Sequence, residues 1–441
     1  MRRRKLCQDE SAGSDLSMMA GMRGVHMRAR KVGVVGAGTM GAGIALVTSA
    51  AGMQVALNDI QPQQLEAARA HIEGIYRRRA ERGTLSAQEM QQRLSLVDYS
   101  LAYDRLADAD IVIEAVPEEI GLKKRVFAML DQVCRPDAIL ATNTSALSVA
   151  ELAAASGRPQ QVIGMHFFNP VQAMKLVEVI PGPRTEAKVV EMVTGLAREL
   201  GKVPVVVRDR PGFLVNRLLM PYLNEAAMCL QEEAATTQEI DAAMGRSGFG
   251  WPMGPLALMD MLGLDVCHHI AAYLAVQYGE RMPEAALLRA LYDDGRYGQK
   301  SGRGFYDHAG AMCPADVSAL IHALHKGGAG RSGSPFSVDR VMAPLLNEAF
   351  RCVEEEVARV EDVDLACITG LGMQVRRGSQ LVPCGPLEYA DDRGLDTVLD
   401  TLRDLHTALG GRFRPAAILE HKVRAGVLGK KSGRGFRMYG S

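Results

Sequence analysis

The apolar run VIGMHFF carries a histidine, His166, and twelve residues later a second apolar run, MKLVEVI, carries Glu178. An imidazole beside a carboxylate is held in one orientation, and its protonated form is stabilised, so the pair can take up and return a proton. Two strands joined by a turn would bring these residues together. A lone histidine on an apolar strand is more often a satisfied core residue; the flanking HFFNP and the partner Glu178 favour the chemical reading.

A second constellation precedes it. Gly36-Ala37-Gly38-Thr39-Met40-Gly41 follows the β-rich run KVGVV and opens an alanine-rich helical pattern. Gly36 permits a tight turn, Gly38 lets a pyrophosphate approach the backbone, and Gly41 lets helix and strand pack closely, with free N–H groups of the helix start turned to the phosphates. As a bare pattern this is only a glycine-rich turn; its place between strand and helix makes it a dinucleotide fingerprint. Asp59 ends the next run, MQVALND, where a carboxylate can bond both ribose hydroxyls and repel a 2′-phosphate, so the expected cofactor is NAD and not NADP.

These residues need a scaffold. Seven β-rich runs, KVGVV, MQVALND, ADIVIEAV, AILATNT, QQVIGMHFF, MKLVEVI and KVPVVV, alternate with helical patterns up to about residue 208. That alternation predicts an α/β, Rossmann-like domain: a largely parallel sheet covered on both faces. Between residues 61 and 98 the strands stop, and two helices around a glycine-containing turn are expected. After Pro211 and Gly212 the apolar spacing becomes helical. The all-α remainder repeats itself: VNRLLMPYLNEA (215–226) returns as VDRVMAPLLNEA (338–349), GPL with its downstream Asp260 and GLD as residues 385–396, and GQKSGRGF (298–305) as GKKSGRGF (429–436). The expected organisation is an extension over 1–30, a nucleotide domain over 31–210, a first helical copy over 211–325, a Gly/Ser-rich linker over 326–335 and a second copy over 336–441.

Composition narrows the function. With 441 residues, 47% of them hydrophobic, the chain can bury more than one core. Lys plus Arg equals Asp plus Glu at 51 each, so no overall field gathers nucleic acid or an anionic membrane. The uncharged stretch 32–58 is too rich in glycine for a membrane span and reads as strand, turn, helix and strand. Eight cysteines without a C-x-x-C pair suggest neither a disulfide framework nor a zinc site, and fit a reducing, cytoplasmic setting. His268, His269, His322 and His325 lack carboxylates or cysteines at metal spacing, so no metal is expected. The first thirty residues lack a secretory core and read as a disordered extension, with Met22 and Met27 as alternative starts; Asp9, Glu10 and Asp15 argue against a mitochondrial presequence without closing that reading.

Three further segments, NTSAL (143–147), GMHFFNP (164–170) with MKLVEVI, and RPGFLVNR (210–217), resemble the 3-hydroxyacyl-coenzyme A dehydrogenase family, in particular the dehydrogenase half of multifunctional β-oxidation enzymes. The likeness covers residues 31–439, without room in front for a hydratase domain. It implies an acyl-CoA thioester as substrate, with His166 taking the 3-hydroxyl proton as hydride leaves for the nicotinamide. It places Ser145 and Asn216 on the substrate oxygen, Met40 at the phosphate loop, and Glu118, Lys123 and Asn169 near the nicotinamide ribose. Arg82, beside Arg77 to Arg79, is a candidate for the adenosine phosphates of coenzyme A, although a solvated face is commoner.

The copies differ where chemistry is expected: Asp339 replaces Asn216, and a carboxylate cannot donate to a substrate oxygen. The second copy is therefore expected to pack and shape the acyl pocket without chemistry of its own. Thr369 stands where multifunctional relatives often carry Tyr, and residues 374–383 read as an insertion. Apolar stripes on LLMPYLNEA and LLNEAFRCV suggest pairing of modules, of subunits as a homodimer, or with other β-oxidation enzymes. Three rivals remain at this stage: a dehydrogenase of free 3-hydroxy acids, one acting on dicarboxylic hydroxyacyl thioesters, and a catalytically silent NAD-binding subunit.

Overall fold

The computed structural model describes residues 29–310, 312–328 and 332–440. The expected extension, with Met22 and Met27, falls almost wholly outside them, as does the middle of the expected linker. Eight strands form one sheet: β1 (Lys31–Val35), β2 (Gln54–Asn58), β3 (Val97–Ser100), β4 (Ile111–Glu114), β5 (Ile139–Thr142), β6 (Val162–Phe167), β7 (Leu176–Pro181) and β8 (Val203–Val206). Their spatial order is β3-β2-β1-β4-β5-β6-β7-β8, parallel throughout except for β6 against β7. The order reverses at β1, so a crevice opens beyond the carboxyl ends of β1 and β4, where such sheets bind their ligands.

Six helices accompany the sheet: α1 (Thr39–Ala50), α2 (Pro62–Glu81), α3 (Ala87–Leu94), α4 (Ile120–Val133), α5 (Val149–Ala153) and α6 (Ala187–Glu199). Alternate strand residues serve opposite faces. Val32, Val34, Ile111 and Ile113 pack with α1, α2 and α6, whereas Val35, Val112 and Leu140 pack with α4 in a core that runs on into the helical half. The uncharged stretch 32–58 is indeed β1, α1 and β2, and among the described residues no helix is long and apolar enough to cross a membrane. The helical excursion holds α2 and α3, but the sequence pattern missed β3. That strand is an edge strand, VDYS, with Val97 alone buried, so it lacks the apolar run that marks the others.

The helical half is built twice. The first copy comprises α7 (Val215–Gln231), α8 (Thr237–Met244), α9 (Pro255–Leu262), α10 (Leu264–Tyr278) and α11 (Ala286–Asp293), with the short hairpin β9 (Tyr306–Asp307) and β10 (Cys313–Pro314). Then α12 (Ser318–Lys326) leads to the second: α13 (Val338–Glu354), α14 (Val360–Gly370), hairpin β11 (Gln374–Arg377) and β12 (Gln380–Pro383), α15 (Pro386–Arg393), α16 (Leu395–Leu409) and α17 (Ala417–Arg424). The β11–β12 hairpin is the expected insertion, and its Arg376 N–H donates to Phe249 O of the first copy at 3.0 Å.

The repeated GQKSGRGF and GKKSGRGF segments are latches. Asp260 accepts the N–H groups of Phe305 and Tyr306 at 2.9 Å each, and Asp391 accepts those of Phe436 and Arg437 at 2.9 and 3.0 Å. A Cβ at Gly304 or Gly435 would overlap the carboxylate, which explains the second glycine of each SGRG.

Helices α7 and α13 pack against each other and are buried almost all round, which accounts for both apolar stripes. Charges cross this contact reciprocally. Arg217, in α7, bonds Glu348 at 3.2 Å and Glu355 at 2.8 Å; its counterpart Arg340, in α13, bonds Glu225 and Glu232 at 2.7 Å each. Arg281 joins the first group and Arg412 the second. Buried pairs of this kind add little net stability but fix which surfaces meet, because removing one partner strands the other's charge.

Arg340→Met is therefore expected to lower unfolding free energy by about 3 kcal/mol, read as a shift in denaturant midpoint, since it leaves the buried Glu225 and the largely buried Glu232 with Arg412 as their one remaining arginine partner. Arg289→Ala, which removes an exposed pair with Asp293, should barely move the midpoint.

Candidate active site

The carboxyl ends of β1, β4, β5 and β6 all face one edge of the sheet, and the predicted site residues other than Arg82 lie along or beside it. At β1 the glycine turn begins with Gly36 at φ +98°, a conformation that other residues rarely adopt, and a Cβ there would press on Ala115 O at 2.7 Å. At Gly41 a Cβ would overlap Gly36 O, so α1 and the turn can meet only through glycine. At Gly38, which caps α1, a Cβ meets no protein atom, and the first turn of α1 carries no acidic residue. Thr39 is exposed and Met40 half-buried just beyond. Asp59 follows β2 and accepts the Ala37 N–H at 2.7 Å, tying its carboxylate to the turn. A pyrophosphate fits this cradle, which offers it open space, helix-start N–H groups and a first helical turn without an acidic residue.

Along the edge, Glu118 gathers the loop after β5. Its Oε1 accepts Thr144 Oγ1 at 2.5 Å, Ser145 N at 2.8 Å and Ala146 N at 3.1 Å, while Oε2 lies 3.3 Å from Lys123 Nζ. Burial pushes the Glu118 carboxyl up, but Lys123 and these donors outweigh it and hold it below the usual range. Its side chain keeps 41% exposure, whereas that of Lys123 keeps 1% and bonds Glu114 at 2.7 Å and Val116 O at 3.2 Å. Lys123 thus acts through Glu114 and Glu118. Sequence reasoning did not single out Glu114, a wholly buried carboxylate ending β4 that also accepts Thr142 Oγ1 and Val116 N at 2.7 Å each; a charge closing the run ADIVIEAV was the available signal.

At β6, His166 and Glu178 face each other in register across the antiparallel pair, with Nδ1 2.7 Å from Oε2. Both are buried, and Phe168 and Phe213 pack on the imidazole at ring distances of 4.4 and 6.0 Å. The other oxygen, Glu178 Oε1, accepts Leu214 N at 3.0 Å and Val215 N at 2.9 Å, the start of α7. One residue on, Asn216 Nδ2 donates to Ser145 O at 3.0 Å, leaving the Ser145 hydroxyl outside these bonds. Asn143, also not singled out, accepts Phe167 N at 2.8 Å and so fixes the strand end that carries His166.

His166, Glu178, Ser145, Asn216, Glu118 and Lys123 therefore form one connected cluster, with the glycine turn and Asp59 farther along the edge. Asn169 is exposed beyond the end of β6. Arg82 is exposed at the C-terminal end of α2, outside this bonded cluster.

Away from the site, His268 does have a carboxylate partner, Glu284, which the linear spacing concealed. One trio among the described residues, Cys384, Glu388 and Asp392, has atoms close enough to share a metal ion, but Arg377 Nη2 lies against all three, so a cation is already in place.

Residues 31–210 match the NAD binding domain of 3-hydroxyacyl-CoA dehydrogenase, and residues 212–308 and 336–439 match its C-terminal domain. The chain belongs to the 3-hydroxyacyl-CoA dehydrogenase family. It is therefore an NAD-dependent dehydrogenase. A 3-hydroxybutyryl-CoA dehydrogenase from Escherichia coli K12 is 30% identical over 90% of this chain and 99% of its own, with a TM-score of 0.81. The (S)-3-hydroxybutyryl-CoA dehydrogenase of Ralstonia eutropha is 38% identical over 64% of this chain and 100% of its own, with a TM-score of 0.62. The dehydrogenase part of a multifunctional enzyme from C. elegans, 24% identical over 89% of each chain with a TM-score of 0.60, shares the fold.

The two glycines of the turn separate binding from folding. Gly38→Ala is expected to keep the melting temperature while weakening NADH binding about tenfold or more, because its Cβ intrudes only where the phosphates approach. Gly41→Ala should also lower the melting temperature, because α1 must move off β1; titration of NADH fluorescence beside a thermal melt reads both.

Proposed function

We propose that this chain oxidises the (S)-3-hydroxyl of a 3-hydroxyacyl-CoA thioester to the 3-oxo thioester, in fatty-acid β-oxidation or a related acyl-CoA pathway. The observation that carries this reading is the His166–Glu178 pair, buried, in register and bonded to the helix that brings Asn216 to Ser145. NAD held in the glycine cradle would supply the acceptor for the hydride that leaves C3. His166 takes the hydroxyl proton through its outward nitrogen, Nε2, because Nδ1 is engaged by Glu178, whose negative charge stabilises the imidazolium that forms. The Ser145 hydroxyl and the Asn216 amide hold the substrate oxygen as it becomes a carbonyl. Gly36, Gly38, Thr39, Met40 and Gly41 would hold the pyrophosphate, Asp59 the adenosine ribose, and Glu118 and Asn169 the nicotinamide side, with Lys123 fixing Glu118. Arg82 is the candidate for the coenzyme A phosphates. The second copy does no chemistry of its own in this scheme: Asp339 is paired with Arg393 at 2.9 Å. The pairing stripes meet within the chain, and a cytoplasmic setting is part of the same proposal.

The test is NADH formation with 3-hydroxyacyl-CoA thioesters and the matching free acids. The thioesters should be turned over at much the higher kcat/KM, and His166→Gln should lose about 100- to 10,000-fold in kcat while still binding NADH. Undiminished turnover in that variant, or preference for the free acid, contradicts the proposal.

A further inference from the structure

One buried cation has no part in the proposed chemistry. Lys202 lies between α6 and β8. Gly201, at φ +73°, ends α6, and Lys202 N donates back to Ala197 O at 2.9 Å. The next amide, Val203 N, donates to Lys175 O at 2.8 Å, where β8 begins to pair with β7. The backbone is thus fixed on both sides of Lys202, and the residue is buried. Its Nζ donates to Val171 O and, at 2.8 Å, to Met174 O. Burial pushes this ammonium down, so it is a costly group to keep for packing alone.

Both carbonyls belong to the connection between β6 and β7, residues 168–175. Pairing puts this connection at the carboxyl end of β6, on the edge where the site residues lie: Phe167 stands opposite Val177, and Leu176 opposite Val203. Phe168 opens the connection and packs on the His166 ring at 4.4 Å; Asn169 follows, exposed. Pro170 O accepts Ala173 N and Met174 N at 3.0 Å each, a turn that lets the Val171 and Met174 carbonyls meet at one ammonium. Val171 is itself buried against α1, where a Cβ on Gly43 would lie 2.8 Å from its side chain. The connection is therefore held between Lys202 and the helix whose start forms the glycine cradle.

We infer that Lys202 is a positioning residue for the cofactor site: its ammonium fixes the 168–175 connection at Val171 and Met174, and so sets where Asn169 stands on the nicotinamide side. This rests on the place given to Asn169 in the function proposed above. Two charge-assisted bonds from one fixed point remove the freedom that an exposed connection otherwise has. A methionine fills much the same space but donates nothing, so it leaves the packing on Gly43 and releases the carbonyls.

The experiment titrates NADH fluorescence into the full chain in a double-mutant cycle of Lys202→Met and Asn169→Ala, with a thermal melt of each protein. Asn169→Ala is expected to raise the NADH Kd about tenfold and Lys202→Met about as much. The double variant should bind little worse than either, because both changes act through one contact. Should Lys202→Met fail to fold, Gly43→Ala takes its place: its Cβ presses on Val171 from α1, and the same coupling to Asn169→Ala is expected. A lysine that only supports the fold would change the Kd by the same factor with or without Asn169. Equal factors in the two backgrounds, or an NADH Kd that Lys202→Met leaves unchanged, overturn the inference and leave the dehydrogenase reading intact. An Asn169→Ala variant that binds NADH as wild type does takes down the inference together with the place of Asn169. Failure of the proposed function is read separately, as absence of NADH formation by wild type from any 3-hydroxyacyl-CoA.

Discussion

The Glu178 carboxylate is used twice, once by each half of the chain: Oε2 holds His166 Nδ1 at 2.7 Å and Oε1 receives the Leu214 and Val215 amides that open α7. Those amides are helix-start donors without partners inside the helix, and a negative charge there also complements the helix dipole. The bond that orients the imidazole is thus covalently continuous with the bond that docks the helical half on the sheet. Asn216 reaches Ser145 because α7 starts where Glu178 puts it. Phe213, at φ +47° and packed on the imidazole, is the turn this docking imposes on the connecting chain.

The duplication holds that helix from behind. Arg217, the residue after Asn216, reaches across to Glu348 and Glu355, so the first turn of α7 is fixed between the sheet on one side and the second copy on the other. The second copy also touches the sheet itself, where Arg208 N donates to Val357 O at 2.9 Å and Gly370 lies against Leu176. At the position of Asn216 the second copy carries Asp339, paired with Arg393 at 2.9 Å, an asymmetry built from a few substitutions in otherwise matching helices.

Much of this was legible in the residues. Alternating β-rich runs gave the sheet, the glycine spacing gave the cradle, and internal repetition gave the paired modules, because each depends on local pattern. His166 and Glu178 were readable as partners because an antiparallel pair joined by a short connection places residues in predictable register. What escaped notice depends on distant contacts. The β3 strand is short and polar, as an edge allows. Glu114 and Asn143 look like ordinary polar residues at strand ends until Lys123, Thr142 and Phe167 are seen to converge on them. The second role of Glu178, as the cap of a helix that begins 37 positions later, has no linear signature at all.

The most direct measurement is kcat for thioester oxidation by Glu178→Gln, in protein shown by NADH titration to bind cofactor. A glutamine can still accept the α7 amides through its carbonyl, but it presents an N–H₂ group to His166 and cannot stabilise an imidazolium. The expected outcome is a fall of about 100-fold or more with NADH affinity largely kept. A kcat close to that of wild type would contradict it.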